Sequence, residues 1–187
     1  MWRYLIVASG LLFGTTSRAA EPADITRAEL ARVPEYCADT MAFDPRLKTG
    51  QQTAKQSQWL SLMGETFYGM HHYCWALIGA NRAEQAGLNK QQRDFIFNSA
   101  INDVYYVLKI ATPDFPLLPE LLTRVGQYYV AMGLPVQAVD HFEQARKAKP
   151  DYWPPYIGMA DVYAKLGRKQ HAAEVLDDGL KIGRAHV

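Results

Sequence analysis

The sequence has almost no excess charge of either sign. Its 187 residues include 20 lysines and arginines and 19 aspartates and glutamates, so the formal net charge is +1. Proteins that bind a nucleic-acid backbone carry a basic excess, and the near balance argues against a nucleic-acid partner. Hydrophobic residues make up 49% of the chain, which predicts a folded domain with a core rather than a disordered chain.

The sequence also lacks an apolar run long enough to cross a bilayer. Its most apolar stretch, residues 4–13, is about half as long as the roughly 20 residues of a membrane-spanning helix. It follows Arg3 and precedes small residues up to Ala19, which is the layout of a secretory signal peptide. We therefore predict a signal peptide over residues 1–19 and no transmembrane segment after cleavage. The predicted location is the periplasm or another exported location in the bacterial envelope.

Motifs with a defined catalytic mechanism are absent from the sequence. It contains no H-E-x-x-H, no G-x-S-x-G and no glycine-rich phosphate loop after a strand. Acidic pairs such as Asp177 and Asp178 fall on predicted helix surfaces, where charged side chains are normally solvated. The sequence therefore predicts a protein that is not an enzyme and that binds no cofactor.

What the sequence does contain is a helical period that repeats. From Ile25 onward the apolar residues recur three and four apart, without the alternation of a strand, which predicts an all-α fold. A shift of 34 residues aligns the last third with itself, and such a period predicts stacked antiparallel helix pairs. The aligned pairs are Leu122 with Tyr156, Val125 with Met159, Gly126 with Ala160, Tyr129 with Tyr163, Gly133 with Gly167, Ala138 with Ala172, Phe142 with Leu176, and Ala145 with Gly179.

This pattern resembles the tetratricopeptide repeat. The resemblance is carried by L-x-x-V-G-x-x-Y over residues 122–129, followed by Gly133, Ala138, Phe142 and Ala145. It implies a right-handed solenoid in which Gly126 and the alanines let helices approach closely. It also implies that Gly133 and Gly167 take the left-handed conformation that ends a helix.

An earlier, less regular copy lies at a shift of 37 residues, where Asp103 aligns with Asp140 and Tyr105 with Phe142. Its first helix is predicted within residues 65–86. We therefore predict about three repeat units, in a domain that spans residues 57–187. The predicted units cover about residues 65–116, 117–150 and 151–184.

The two ends of the chain differ from this repeat domain. Residues 20–56 are predicted to form a helical cap and a linker, with Asp24 capping one short helix and Pro34 opening another. At the other end, residues 181–187 back-translate as aag atc gga aga gca cac gtc, which matches a common sequencing adapter. We hypothesise that residues 182–187 are a non-native tail and that further repeats are missing.

The segment Phe67–Leu77, which contains the string HHYCWAL, resembles one found in uncharacterised exported tetratricopeptide proteins of proteobacteria. Its Cys74 and the earlier Cys37 are the only cysteines. Since exported thiols are usually paired, we predict a disulfide between them. In the alternative, His71 and Cys74 are ligands of a metal such as zinc, completed by Cys37 or His72, in a metal-binding or redox-responsive module.

The repeat resemblance also implies where a partner binds, because the first helix of each unit lines a concave groove. Its outward positions mix apolar and charged residues, which suits an extended peptide or a partner helix. We predict a scaffold or adaptor that binds another envelope protein or peptide there, with Tyr152 and Trp153 as a second possible contact patch. The predicted groove residues are Glu120, Thr123, Gln127 and Val130 in one unit and Ile157, Asp161 and Lys165 in the next.

Overall fold

The computed structural model describes residues 25–85 and 87–185, and within them the chain is helical and contains no strand. This confirms the predicted all-α fold. Short 3₁₀ helices cover Glu35–Asp39, Pro45–Leu47 and Gly64–Gly69. The α-helices are α1 (Arg27–Leu30), α2 (Ala54–Met63), α3 (Met70–Ala83), α4 (Lys90–Ile110), α5 (Leu118–Met132), α6 (Pro135–Ala148), α7 (Pro154–Lys165) and α8 (Lys169–Ala185).

Helices α3 to α8 form three successive pairs, and each pair packs on the next. The pairs are α3 with α4, α5 with α6, and α7 with α8, joined through contacts of α4 with α5 and of α6 with α7. Gly133 and Gly167 have φ angles of 77° and 73°, in the left-handed region that favours glycine at a helix end. The predicted solenoid of three helix pairs is therefore confirmed.

One aromatic ring on α6 packs against both α5 and α7. Phe142 on α6 is completely buried and lies between Gly126 on α5 and Gly158 on α7. A β-carbon at either glycine would lie 2.5 Å from a carbon of the ring, closer than van der Waals contact allows. The predicted close approach at Gly126 is confirmed, and the same requirement at Gly158 was missed by the sequence pattern.

The segment before α2 covers the outer side of α3. Glu29 accepts a hydrogen bond of 3.0 Å from Arg82 near the C-terminal end of α3, and Cys37 is bonded to Cys74 near its middle. Residues 29–37 therefore run along α3 in the opposite direction and cover this side of the first helix pair. This is the position that the sequence predicted for the cap.

The details of this cap differ from the prediction. The predicted N-cap Asp24 lies outside the described residues, and Thr26 caps α1 in a reciprocal pair of hydrogen bonds with Glu29. Helix α1 ends at Leu30, and Pro34 is followed by a 3₁₀ helix rather than an α-helix. Helix α2 begins at Ala54 and so crosses the predicted domain boundary at residue 57.

The predicted signal peptide, residues 1–19, also lies outside the described residues, as do residues 186 and 187 of the predicted non-native tail. Among the helices of residues 25–85 and 87–185, none has the length and apolar character needed to cross a membrane.

Candidate functional site

Five of the seven predicted groove residues meet in one depression between α5 and α7. The depression has a volume of about 270 Å³. The repeat resemblance was the sole basis for predicting that these residues share a surface. In the structure, their side chains line the same depression. They are Gln127 and Val130 from α5 and Ile157, Asp161 and Lys165 from α7.

The depression has apolar walls and charged groups at its edge. The buried ring of Phe142 and the exposed ring of Trp153 both line it. Asp161 and Lys165 are exposed and lie one helical turn apart on α7. Within the part of the chain that the structure describes, neither forms an ion pair. An apolar side chain of a bound peptide can fill such a site while its neighbours pair with the two charges.

Glu120 does not line this depression, because its carboxylate is used inside the fold. It accepts a hydrogen bond of 2.7 Å from the phenol of Tyr73 on α3. Burial and the nearby Glu120 carboxylate raise the pKa of Tyr73 well above its usual value, so the phenol keeps its proton and donates. Glu120 is half-buried, and it links α3 to α5 beside the groove.

Thr123 is the second predicted groove residue that does not line the depression. It is buried, and its hydroxyl donates a hydrogen bond of 2.7 Å to the backbone carbonyl of Pro119 in the same helix. A polar residue at an outward helical position indicates exposure in a sequence. Here the hydroxyl is satisfied by its own helix, so the side chain can be buried without cost to its hydrogen bonding.

Phe142, Pro154 and Gly158 also line the depression, and sequence reasoning did not assign them to it. Phe142 belongs to the second helix of its unit, which the repeat resemblance places away from the groove. Its ring lies against Gly126 and Gly158, where a β-carbon would overlap it. Trp153, predicted as part of a separate patch, belongs to the same depression.

The two cysteines form the predicted disulfide. Cys37 and Cys74 are bonded, and both are completely buried. The sulfur of Cys74 is therefore not available as a thiolate ligand. Among residues 25–85 and 87–185, no group of three or more His, Cys, Asp or Glu side chains lies where it could hold a metal ion, and the metal-binding alternative is not supported.

The two histidines of the HHYCWAL string are packing residues with hydrogen-bond partners. Nδ1 of His71 donates a hydrogen bond of 3.0 Å to the carbonyl of Tyr68, and Nδ1 of His72 lies 2.8 Å from the carboxylate of Asp103 on α4. Both rings contact the indole of Trp75 edge to face. Burial, helped by the neighbouring His72, lowers the pKa of His71 to about 4, so its ring is neutral at neutral pH.

The comparisons with known proteins agree with the repeat geometry of the C-terminal part. Residues 129–186 match the family model described as Tetratricopeptide repeat. The match contains α6, α7 and α8, and it includes four of the five predicted groove residues that meet in the depression. The comparisons with curated proteins and with solved structures found no match to the chain.

Proposed function

We propose that this protein is an exported, non-catalytic scaffold that binds another envelope protein, or a peptide segment of it, in the depression between α5 and α7. The observation that carries this proposal is the convergence of Gln127, Val130, Ile157, Asp161 and Lys165 on one cavity. Helical repeat proteins use such surfaces between successive units for binding.

The chemistry of the depression defines the segment that fits it. Its apolar walls, which include Phe142 and Ile157, suit one branched or aromatic side chain of the partner. Asp161 favours a basic residue on one side of that anchor, and Lys165 favours an acidic residue on the other. A segment with an apolar anchor between opposite charges therefore matches the site, and its charges supply specificity more than affinity.

Two features support the exported location. The only cysteines of the chain, Cys37 and Cys74, form a disulfide, a bond that persists mainly in oxidising compartments. The N-terminal residues carry the pattern of a signal peptide. The intact mass of the protein from its own cells tests this: we expect a chain that begins at Ala20 and thiols that alkylate only after reduction. An unprocessed chain with free thiols would refute export.

Site-specific cross-linking in cells tests the binding role. We place a photo-reactive amino acid at Gln127, which lines the depression, and at Gln144, an exposed residue of α6 that does not. We expect one protein to cross-link at Gln127 only. The cross-link should disappear in the double variant Asp161→Ala, Lys165→Ala. The melting temperature of this variant should equal that of the natural protein, because both side chains are exposed. If Gln127 captures nothing that Gln144 does not, the groove is not a binding site.

A further inference from the structure

Two further depressions adjoin the one proposed as the binding site, which is called the first depression below. The second depression, of about 190 Å³, lies where α5 and α7 end, and it shares Val130 and Lys165 with the first. The third depression, also of about 190 Å³, lies between α6 and α7 and shares Pro135 and Leu166 with the second. The three depressions therefore form one continuous path across the surface.

This path leaves the groove at the turn between α5 and α6. The first depression lies between α5 and α7, whereas Val139 of α6 and Tyr163 of α7 line the third. Every residue that lines the second and third depressions belongs to α5, α6 or α7, or to the turns over residues 133–134 and 166–168. Both depressions therefore lie between helix pairs rather than on the outer side of α8.

The walls of the path are apolar, and two of its apolar side chains are exposed. Leu134 and Val162 line the second depression. Val136 and Leu166, which are 71% and 50% exposed, both line the third. Exposed apolar side chains that adjoin one another beside a depression mark an interaction site.

Charged side chains stand along the path. Lys165 lies between the first two depressions, since it lines both, and Asp140 and Arg168 line the third. All three are exposed, and within residues 25–85 and 87–185 none of them forms an ion pair. Their charges are therefore available to a partner, and Lys165 favours an acidic side chain there.

The course of the path favours an extended partner segment over a helix. An α-helix is straight over a few turns and about 10–12 Å wide, so it cannot pass from the seam between α5 and α7 to the seam between α6 and α7. An extended chain can bend at any residue, and its alternate side chains point the same way.

The length of the path also fits an extended chain. Ile157 in the first depression and Leu166 in the second are nine residues apart, which corresponds to about 13 Å along a helix. Four residues of an extended chain cover about the same length. Apolar side chains four positions apart then enter the two depressions, and the side chain midway between them lies over Lys165.

We propose that the partner contributes an extended segment with three apolar anchors, one for each depression, and an acidic residue between the first two anchors that pairs with Lys165. The segment runs between α5 and α7, crosses the turn between α5 and α6, and continues between α6 and α7. This inference rests on the proposed function, which requires only the first depression.

Photo-cross-linking in cells tests the path. The photo-reactive amino acid is placed at Leu166 and at Val136, with Leu62 of α2, a leucine that is 54% exposed, as the control. We expect Leu166 and Val136 to capture the same protein as Gln127, and Leu62 not to capture it. Mass spectrometry should place the contacts of Gln127, Leu166 and Val136 in this order, or its reverse, along one segment of that protein.

A synthetic peptide with the sequence of the cross-linked segment tests the anchors and the charge, with binding to the purified full chain measured by fluorescence anisotropy. Val136→Asp should weaken binding about tenfold, since it places a charge in an apolar contact. Lys165→Glu should also weaken binding about tenfold, and replacing the acidic residue of the peptide by lysine should recover most of this loss. Leu62→Asp should leave binding unchanged. A lactam bridge that joins peptide side chains four positions apart imposes a helix and should abolish binding.

The results separate this inference from the proposed function. If Gln127 captures a protein that Leu166 or Val136 does not, the partner does not follow the path, and the proposed function stands. Undiminished binding of the lactam-bridged peptide would refute the extended conformation, and undiminished binding by Lys165→Glu would refute the acidic contact. Absence of capture at Gln127 would refute the proposed function and the path together.

Discussion

The phenol of Tyr73 on α3 donates a hydrogen bond of 2.7 Å to the carboxylate of Glu120 on α5, 47 residues later in the chain. Tyr73 is completely buried. Since most buried hydroxyls form a hydrogen bond, this contact helps to set the position of α5 on the first helix pair. It also places Glu120 inside the fold rather than in the groove.

Tyr73→Phe should lower the free energy of unfolding by about 1.5–3 kcal/mol, because the hydrogen bond from the phenol to the Glu120 carboxylate is lost. Tyr128→Phe is the matched control. The Tyr128 hydroxyl is also buried, but it has no hydrogen-bond partner among the described residues, so its removal should change stability by less than about 0.5 kcal/mol. Denaturant titration measures both, and equal losses would contradict the prediction.

Gly158→Ala should lower the free energy of unfolding by about 1–3 kcal/mol, since the new methyl group overlaps the enclosed ring of Phe142. Gly79→Ala is the control, because a β-carbon there lies 3.6 Å from its nearest neighbour, Ile96. This change should be neutral or stabilising by up to about 1 kcal/mol, as alanine loses less entropy in a helix. Thermal unfolding measures the stability of both variants. A Gly158→Ala protein as stable as the natural one would contradict the prediction and show that the ring of Phe142 can move.

Replacing both Cys37 and Cys74 by alanine should lower the free energy of unfolding by about 2–4 kcal/mol, because the closed loop no longer restricts the unfolded chain. Their separation of 37 residues makes that loop long. Reductant should destabilise the natural protein by a similar amount and leave the double variant unchanged. A natural protein that is insensitive to reductant would contradict this.

Stability should fall as the pH decreases from about 6.5 to about 4, partly through His71. Its pKa is about 4 in the folded protein against 6.5 for a free side chain. The unfolded chain therefore binds the proton first, and acid favours unfolding over this range. His71→Gln should reduce the loss of unfolding free energy over this pH range by roughly 1–2 kcal/mol. This value is smaller than the full pKa difference implies, because the ring is only partly buried and solvent screens its charge. Equal pH profiles for the natural protein and His71→Gln would contradict the assignment.

Much of the groove was predictable because helix faces follow from spacing. Residues four apart on α7, such as Asp161 and Lys165, share a face in any α-helix, and the repeat resemblance indicated which face is concave. Thr123 follows the same spacing on α5 but is buried. Spacing specifies only the face of a residue's own helix, and whether a neighbouring helix covers that face depends on packing.

The sequence alone determined the helical character, the 34-residue period and the left-handed turns at Gly133 and Gly167. These are local properties that depend on neighbouring residues and on glycine's freedom at positive φ. With only two cysteines, it also determined the one disulfide that the chain can form within itself.

The tertiary structure decided which groups meet across helices. It paired Tyr73 with Glu120 and placed Phe142 between two glycines. Such contacts depend on the distance and angle between helices, which result from the packing of all side chains at once. The spacing of residues along one helix does not specify these contacts between helices.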